Sequence, residues 1–270
     1  MGTLACRRFP DGESLVRIES SAKRRAVILC CTLRRPDARL IQLLLAARTA
    51  RELGASSVGL VAPYLAYMRQ DTRFHPGEAV SSRILGDILS TSLDWIATVD
   101  PHLHRHRALS EVFSIPALAI PSARLLAAWI RDHVAEPVLI GPDAESKQWV
   151  HAVAAAAGLP SIVLRKIRRG DRDVSVSAKT LEACRGRTPV LIDDIVSTGG
   201  TLAATVKLLR RARMRAPTCV VVHGLFAPGA LAALTAAGAG RIVTTNSIPH
   251  ASNAIDIVPL IAQAVAPLAR

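Results

Sequence analysis

The stretch at residues 190–202, VLIDDIVSTGGTL, decides how this chain is read. Val190, Leu191 and Ile192 form an apolar run that ends in two adjacent carboxylates, Asp193 and Asp194. Ser197, Thr198, Gly199, Gly200 and Thr201 follow, and then LAATVKLLRRAR, in which Leu202, Val206 and Leu209 recur at helical spacing. The pattern predicts a buried strand, an acidic edge, a hydroxyl- and glycine-rich turn, and a helix. A helix start presents unpaired N–H groups and the positive end of its dipole, so it suits a phosphate. Glycines let the backbone bend closely around an anion, and Thr198 and Thr201 can donate hydroxyl hydrogen bonds to it.

Known nucleotide loops do not fit. No Gly-Lys-Ser/Thr follows the turn, and G-x-G-x-x-G is absent. The two acids carry the wrong charge for a phosphate and suit sugar hydroxyls or a Mg2+-bound water. A sugar phosphate satisfies both halves, with ring hydroxyls on Asp193 and Asp194 and the 5-phosphate in the 197–201 turn. A strand end capped by Asp before an ordinary glycine turn would use the same residues, and the stretch taken alone does not separate the two. The stretch resembles the phosphoribosyl diphosphate (PRPP) binding motif of the type I phosphoribosyltransferase fold, shared by transferases and PRPP synthetases. That resemblance implies the ribose-phosphate reading.

Composition sets the outer limits. A chain of 270 residues holds two ordinary domains or one large one, and a hydrophobic share of 50% supports a full core. The formal net charge of +13 predicts anionic partners. Aromatic residues are only 3%, which leaves few platforms for stacking bases, so no nucleic-acid partner is expected. A small polyphosphate substrate accounts for part of the basic excess. The five cysteines show no C-x-x-C spacing, so neither a zinc knuckle nor a disulfide frame is indicated. Cys30 and Cys31 lie in an apolar run and are expected as reduced core residues. The start of the chain lacks a signal-peptide core, and no apolar run approaches the ~20 residues of a membrane span. A cytoplasmic protein with no membrane contact is the expectation.

In chain order, Phe9-Pro10-Asp11-Gly12-Glu13 is turn chemistry and reads as a hairpin turn. Strands are predicted over 26–33, 57–64 and 94–100. One helix is predicted over 37–53, with Asp37 as N-cap and Gly54 as stop, and another over 81–93. Residues 65–80 form a long polar loop of the kind that is usually functional. The second half repeats the alternation: helix 124–134, strand 137–143, helix 145–158, and a strand over 159–170 that runs into a basic turn. Further strands are predicted in VLIDDIV, CVVVHGLF and RIVTTNSI. This alternation implies parallel sheets with ligands at the carboxyl ends of the strands.

FPDGE, PYLAYMRQDTRFHPGEAVSS and TVDPH together resemble the N-terminal half of PRPP synthetases, the ribose-phosphate diphosphokinases. The resemblance implies an α/β protein of two phosphoribosyltransferase-like domains, each a mainly parallel sheet flanked by helices, over 1–115 and 116–270. It implies that Phe9, Asp11 and Glu13 contact ATP bound to a neighbouring subunit, and that Arg69, Gln70 and Asp71 hold adenine and triphosphate. His102 would bind Mg2+, whereas His104 and His106 are expected to face solvent. Asp143 would lie near the ribose and a second metal, although Ala144-Glu145-Ser146 stands where a glycine pair is common. Lys166 and Arg168 would open a mobile catalytic loop over about 170–187 that closes on the triphosphate.

The implied reaction transfers the diphosphoryl group of Mg-ATP to ribose 5-phosphate, giving PRPP and AMP, in a homodimer or hexamer whose ATP site is completed across subunits. Three departures stand out, one of them a chain shorter overall than is usual in the family. Eight residues precede Phe9 where the family usually has a strand and a helix, and Ser197 replaces an acid carried by well-known bacterial members. A phosphoribosyltransferase that consumes PRPP, and a catalytically inactive regulatory homologue, are the rival readings.

Overall fold

The protein is described here by a computed structural model covering residues 2–166, 174–175 and 184–269. Arg168 and most of the segment expected as a catalytic loop lie outside the described residues. Two compact units are present: Met1–Ile120 with Pro259–Arg270, and Pro121–Val258. The first unit therefore extends past residue 115 and takes back the C-terminal segment.

In the first unit, β1 (Leu4–Arg8) and β2 (Ser14–Ile18) form an antiparallel hairpin, with FPDGE as its turn. A parallel four-stranded sheet follows in the order β3 (Ala26–Cys30), β4 (Ser57–Ala62), β5 (Trp95–Val99) and β6 (Ala117–Ile120). α1 (Pro36–Glu52) and α2 (Ser81–Ser90) supply the first two crossovers. The central strands β4 and β5 are almost wholly buried, which is why VGLVA and WIATV read as continuous rather than alternating apolar runs. α1 buries Leu43, Ala46, Ala47 and Ala50 along one stripe, and α2 buries Leu85 and Leu89.

Two expectations need correction. Asp37 is not the N-cap: Pro36 occupies the first helical turn and Arg35 caps at φ 53°. The fixed φ of proline suits that position, so the helix starts a residue early, and Asp37 instead accepts a hydrogen bond from the Tyr67 hydroxyl. Cys30 is exposed and Cys31 only half-buried, because β3 is the edge strand of its sheet. All five cysteines are free thiols.

The second unit carries a parallel six-stranded sheet in the order β14-β13-β12-β11-β7-β8. These strands are β7 (Pro137–Gly141), β8 (Ser161–Val163), β11 (Thr188–Val196), β12 (Thr218–Gly224), β13 (Arg241–Thr245) and β14 (Asn253–Ile255). A short antiparallel pair, β9 (Arg165–Lys166) and β10 (Val174–Ser175), leaves the sheet after β8. The flanking helices are α3 (Ala123–His133), α4 (Lys147–Ala157), α5 (Gly200–Arg211) and α6 (Ala230–Ala236). The last helix, α7 (Val258–Val265), begins where the chain returns to the first unit. Among the described residues no helix is long and apolar enough to cross a membrane.

Strand order in this sheet reverses between β7 and β11. The chain runs outward from β7 to β8, returns to β11 on the other side of β7, and then runs outward to β14. β7 pairs with β11 only from Thr188↔Pro137 to Leu191↔Ile140, whereas β11 continues beside β12 as far as Val196↔Gly224. Among the described strands none pairs with the β7 side of β11 beyond Ile192, and this reversal point lies at the carboxyl ends of the strands, where ligands bind in such sheets.

Sheet packing in the first unit depends on one glycine. Gly59 lies opposite Trp95 in the β4–β5 register, and a Cβ there would sit 2.0 Å from Trp95 Cε2. Gly59→Ala is expected to lower stability by about 2–3 kcal/mol, read as a fall in the denaturant midpoint with an unchanged slope. A variant as stable as the parent would show that the Trp95 ring has room to move.

Candidate functional site

The acidic edge predicted from sequence falls on the open side of β11. Asp194 is buried and Asp193 half-buried. The Asp194 N–H donates to Asp193 Oδ1 (3.1 Å), and the Ile195 N–H donates to Asp194 Oδ1 (2.9 Å). Asp143 follows the end of β7, across the reversal point. Its Oδ1 accepts the N–H groups of Glu145 and Ser146, both at 3.1 Å, and its carbonyl accepts the Ser146 hydroxyl at 2.6 Å. Gly141 makes this turn possible, because a Cβ there would meet Ser146 Oγ at 2.6 Å.

Burial, and then the like charges of Asp194 and Asp143, push the Asp193 carboxyl well above the usual carboxylate range. Beneath it, burial and the neighbouring Asp193 charge push the Cys219 thiol up to about 12, so that cysteine stays neutral. The edge thus gathers three carboxylates, Asp143, Asp193 and Asp194, close enough to repel one another. Among the described residues, no three His, Cys, Asp or Glu side chains are arranged to hold a metal ion by themselves. Hard carboxylate oxygens in a small number suit Mg2+, which keeps several waters and takes its remaining ligands from substrate phosphates.

The turn after β11 is held from outside. The carbonyl of Val196 accepts the N–H groups of Leu225 (3.0 Å) and Phe226 (3.1 Å), and that of Ser197 accepts the Ala227 N–H (3.0 Å). Gly199 takes φ 72° as N-cap of α5, and Leu234 of α6 packs 3.5 Å from where its Cβ would be. No side chain caps α5, so the first amide N–H groups of the helix are left for a ligand. Thr198 and Gly200 are exposed, and Ser197 and Thr201 are half-buried. β10 lies against α5, which brings the β9–β10 pair, including the backbone of Lys166, to this side of the unit.

In the first unit, FPDGE closes tightly: the Phe9 N–H donates to Glu13 O (2.8 Å) and the Gly12 N–H to Phe9 O (2.9 Å). Phe9, Asp11 and Glu13 are all exposed, and the Arg7 guanidinium lies 4.9 Å from the centre of the Phe9 ring. Arg69 is exposed. Gln70 is tied to the start of α2, where its carbonyl accepts the Ser82 N–H and its Oε1 accepts the Ser81 hydroxyl, both at 3.3 Å. Asp71 is buried, and both its oxygens accept from Arg105.

Asp100, at φ 33°, turns the chain out of β5 toward half-buried His102, whose ring meets that of His104 edge-on at 6.3 Å. His104 is exposed as expected. His106 is not, since its ring packs against Glu111 at 3.3 Å. Sequence reasoning missed Arg105 and Glu111 altogether. Arg105 lies in an alternating His/Arg run that reads as solvated, and its partner is 34 residues away.

The raised Asp193 carboxyl carries a sign. It binds its proton more tightly folded than unfolded, so its share of stability is complete below the usual carboxylate value of ~3.9 and is lost as pH rises through the raised value. Asp193→Asn is expected to raise the melting temperature of the ligand-free protein by a few degrees near neutral pH, with the gain vanishing in acid. A pH-independent or negative shift would contradict the repulsion.

Comparison with known proteins finds matches for both units. Residues 1–92 match the N-terminal domain of ribose phosphate pyrophosphokinase, and residues 108–247 match the phosphoribosyl transferase domain. A ribose-phosphate pyrophosphokinase of Methanopyrus kandleri is 33% identical over 260 residues, covering 96% of this chain and 88% of the relative. One from Halobacterium salinarum is 32% identical over 267 residues, covering 98% and 92%. The crystal structure of phosphoribosylpyrophosphate synthetase from Mycobacterium smegmatis matches 99% of this chain and 90% of that one, with TM-score 0.85 and 25% identity. The chain belongs to the ribose-phosphate pyrophosphokinase family.

Proposed function

We infer that the chain carries out its family's reaction through the residues gathered at its strand ends, transferring the diphosphoryl group of ATP to ribose 5-phosphate. The observation that carries this reading is the open side of β11, where a carboxylate pair is followed by an uncapped helix start. The anomeric hydroxyl of the sugar attacks the β-phosphorus. The bond between that phosphorus and the α–β bridging oxygen breaks, and AMP leaves with the oxygen. Chemistry of this kind needs positioning and charge stabilisation more than covalent help.

Asp193 and Asp194 orient the ribose hydroxyls in this account. The backbone N–H groups of Gly199, Gly200 and Thr201, with the hydroxyls of Ser197, Thr198 and Thr201, hold the 5-phosphate. Arg69 and Gln70 contact ATP; Asp71, expected to bind beside them, is buried against Arg105 and serves instead by fixing their loop, and the exposed Phe9, Asp11 and Glu13 reach ATP on a neighbouring copy. The protein would accordingly be a homodimer or hexamer. His102 and Asp143 are the proposed Mg2+ contacts, and when bound Mg2+ would neutralise phosphate charge. Lys166 and Arg168 stabilise the charge that develops on the transferring group. A cytoplasmic location suits five free thiols and soluble substrates.

Purified chain with Mg-ATP should form AMP and PRPP only when ribose 5-phosphate is added. AMP without the sugar, or ADP in its place, would overturn the reading. Lys166→Ala is expected to lower kcat by about 100-fold while ribose 5-phosphate binding stays within about threefold. A comparable loss of sugar binding would count against its role on the transition state.

A further inference from the structure

We propose that Arg105 is a positioning residue which, clasped by Asp71, sets the His102 loop against the Arg69–Gln70 loop and so organises the Mg-ATP site. The proposal rests on the reading above that those two loops bind Mg-ATP.

Three contacts build the clasp. The Arg105 Nη1 donates to Asp71 Oδ1 at 2.7 Å, and the Arg105 backbone N–H donates to Asp71 Oδ2 at 3.2 Å. The same guanidinium lies 5.2 Å from the centre of the Phe74 ring. Asp71 thus grips both the side chain and the main chain of one residue, which fixes the position and direction of the loop there. A side-chain ion pair alone would tether without orienting.

Each loop is secured separately on its far side. The first is tied to α2 through Gln70, and Glu78 Oε2 accepts the N–H groups of Phe74 and His75 at 3.1 Å. The second is held by Glu111, which accepts the Arg107 N–H at 3.2 Å and pairs with His106. Arg105 lies between these anchors, three residues after His102. Loss of the clasp would therefore remove the tie between the His102 segment and the first loop and leave both anchors in place.

Charge gives the pair a second purpose. The Asp71 side chain is 1% exposed, and its partner's is 46% exposed. An exposed arginine in an ion pair normally contributes little to stability. Here it neutralises a buried carboxylate one residue from Gln70, in a loop expected to receive a triphosphate. Left unpaired, that carboxylate would repel the nucleotide.

The test compares Arg105→Ala, Arg105→Lys, Asp71→Asn and the double variant D71N/R105A with the full-length parent, by steady-state kinetics and thermal melting. Arg105→Ala is expected to raise KM for Mg-ATP about tenfold and to shift Mg2+ activation to higher concentration, with KM for ribose 5-phosphate within about twofold. Lysine should recover part of the loss, and the double variant should be no worse than the worse single change. An Arg105→Ala enzyme with the parent's KM for Mg-ATP overturns the proposal, as does equal weakening of both substrates. If Arg105→Ala fails to fold, the same split is read on Arg105→Lys. A parent that forms no AMP overturns the functional reading itself. An active parent with an indifferent Arg105→Ala overturns only the clasp.

Discussion

The second unit depends on two neighbouring parallel strands of unequal length. β7 ends at Gly141 while β11 runs on to Val196, and the strand order reverses between them. Among the described strands none pairs with β11 on the β7 side beyond Ile192, and polar groups collect there. Asp143 leaves from one strand end, and Asp193 and Asp194 come from the other. Because the same strand then turns directly into α5, the acids and the helix start are fixed relative to each other by a few bonds. A sugar phosphate needs that combination, with acceptors for its hydroxyls and amide donors for its phosphate.

Electrostatics explains why such a site is tuned for ligand rather than for stability. Burial first, and then repulsion among three neighbouring carboxylates, raises the Asp193 carboxyl. The helix start likewise has no side-chain cap, with Gly199 at φ 72° standing where a Ser or Asp would accept from the first N–H groups. On the proposed reading, both features would be relieved by the binding of hydroxyls, cations and phosphate. The first unit handles charge in the opposite way, neutralising buried Asp71 internally with Arg105.

Much of this was legible in the sequence for identifiable reasons. The strands announced themselves because central parallel strands are buried on both faces, as in WIATV and VLI. The strand–turn–helix at 188–211 was legible because hydroxyl and glycine residues follow an acidic strand end within one short segment. What could not be read were relations between distant residues. Nothing in HLHRHR points to Asp71, and nothing in AVILC shows that β3 would be an edge strand with Cys30 exposed. The N-cap assigned to Asp37 failed for a local reason, since Pro36 already fits the first turn. The strand reversal is likewise invisible in any single segment, because it exists only once the sheet order is known.

The most direct test of this account is a crystal structure of the protein with ribose 5-phosphate. The account predicts the phosphate within hydrogen-bonding distance of the backbone N–H groups at 199–201, with the ribose hydroxyls against Asp193 and Asp194. A sugar phosphate bound away from the β11 strand end, with that turn left empty, would contradict it.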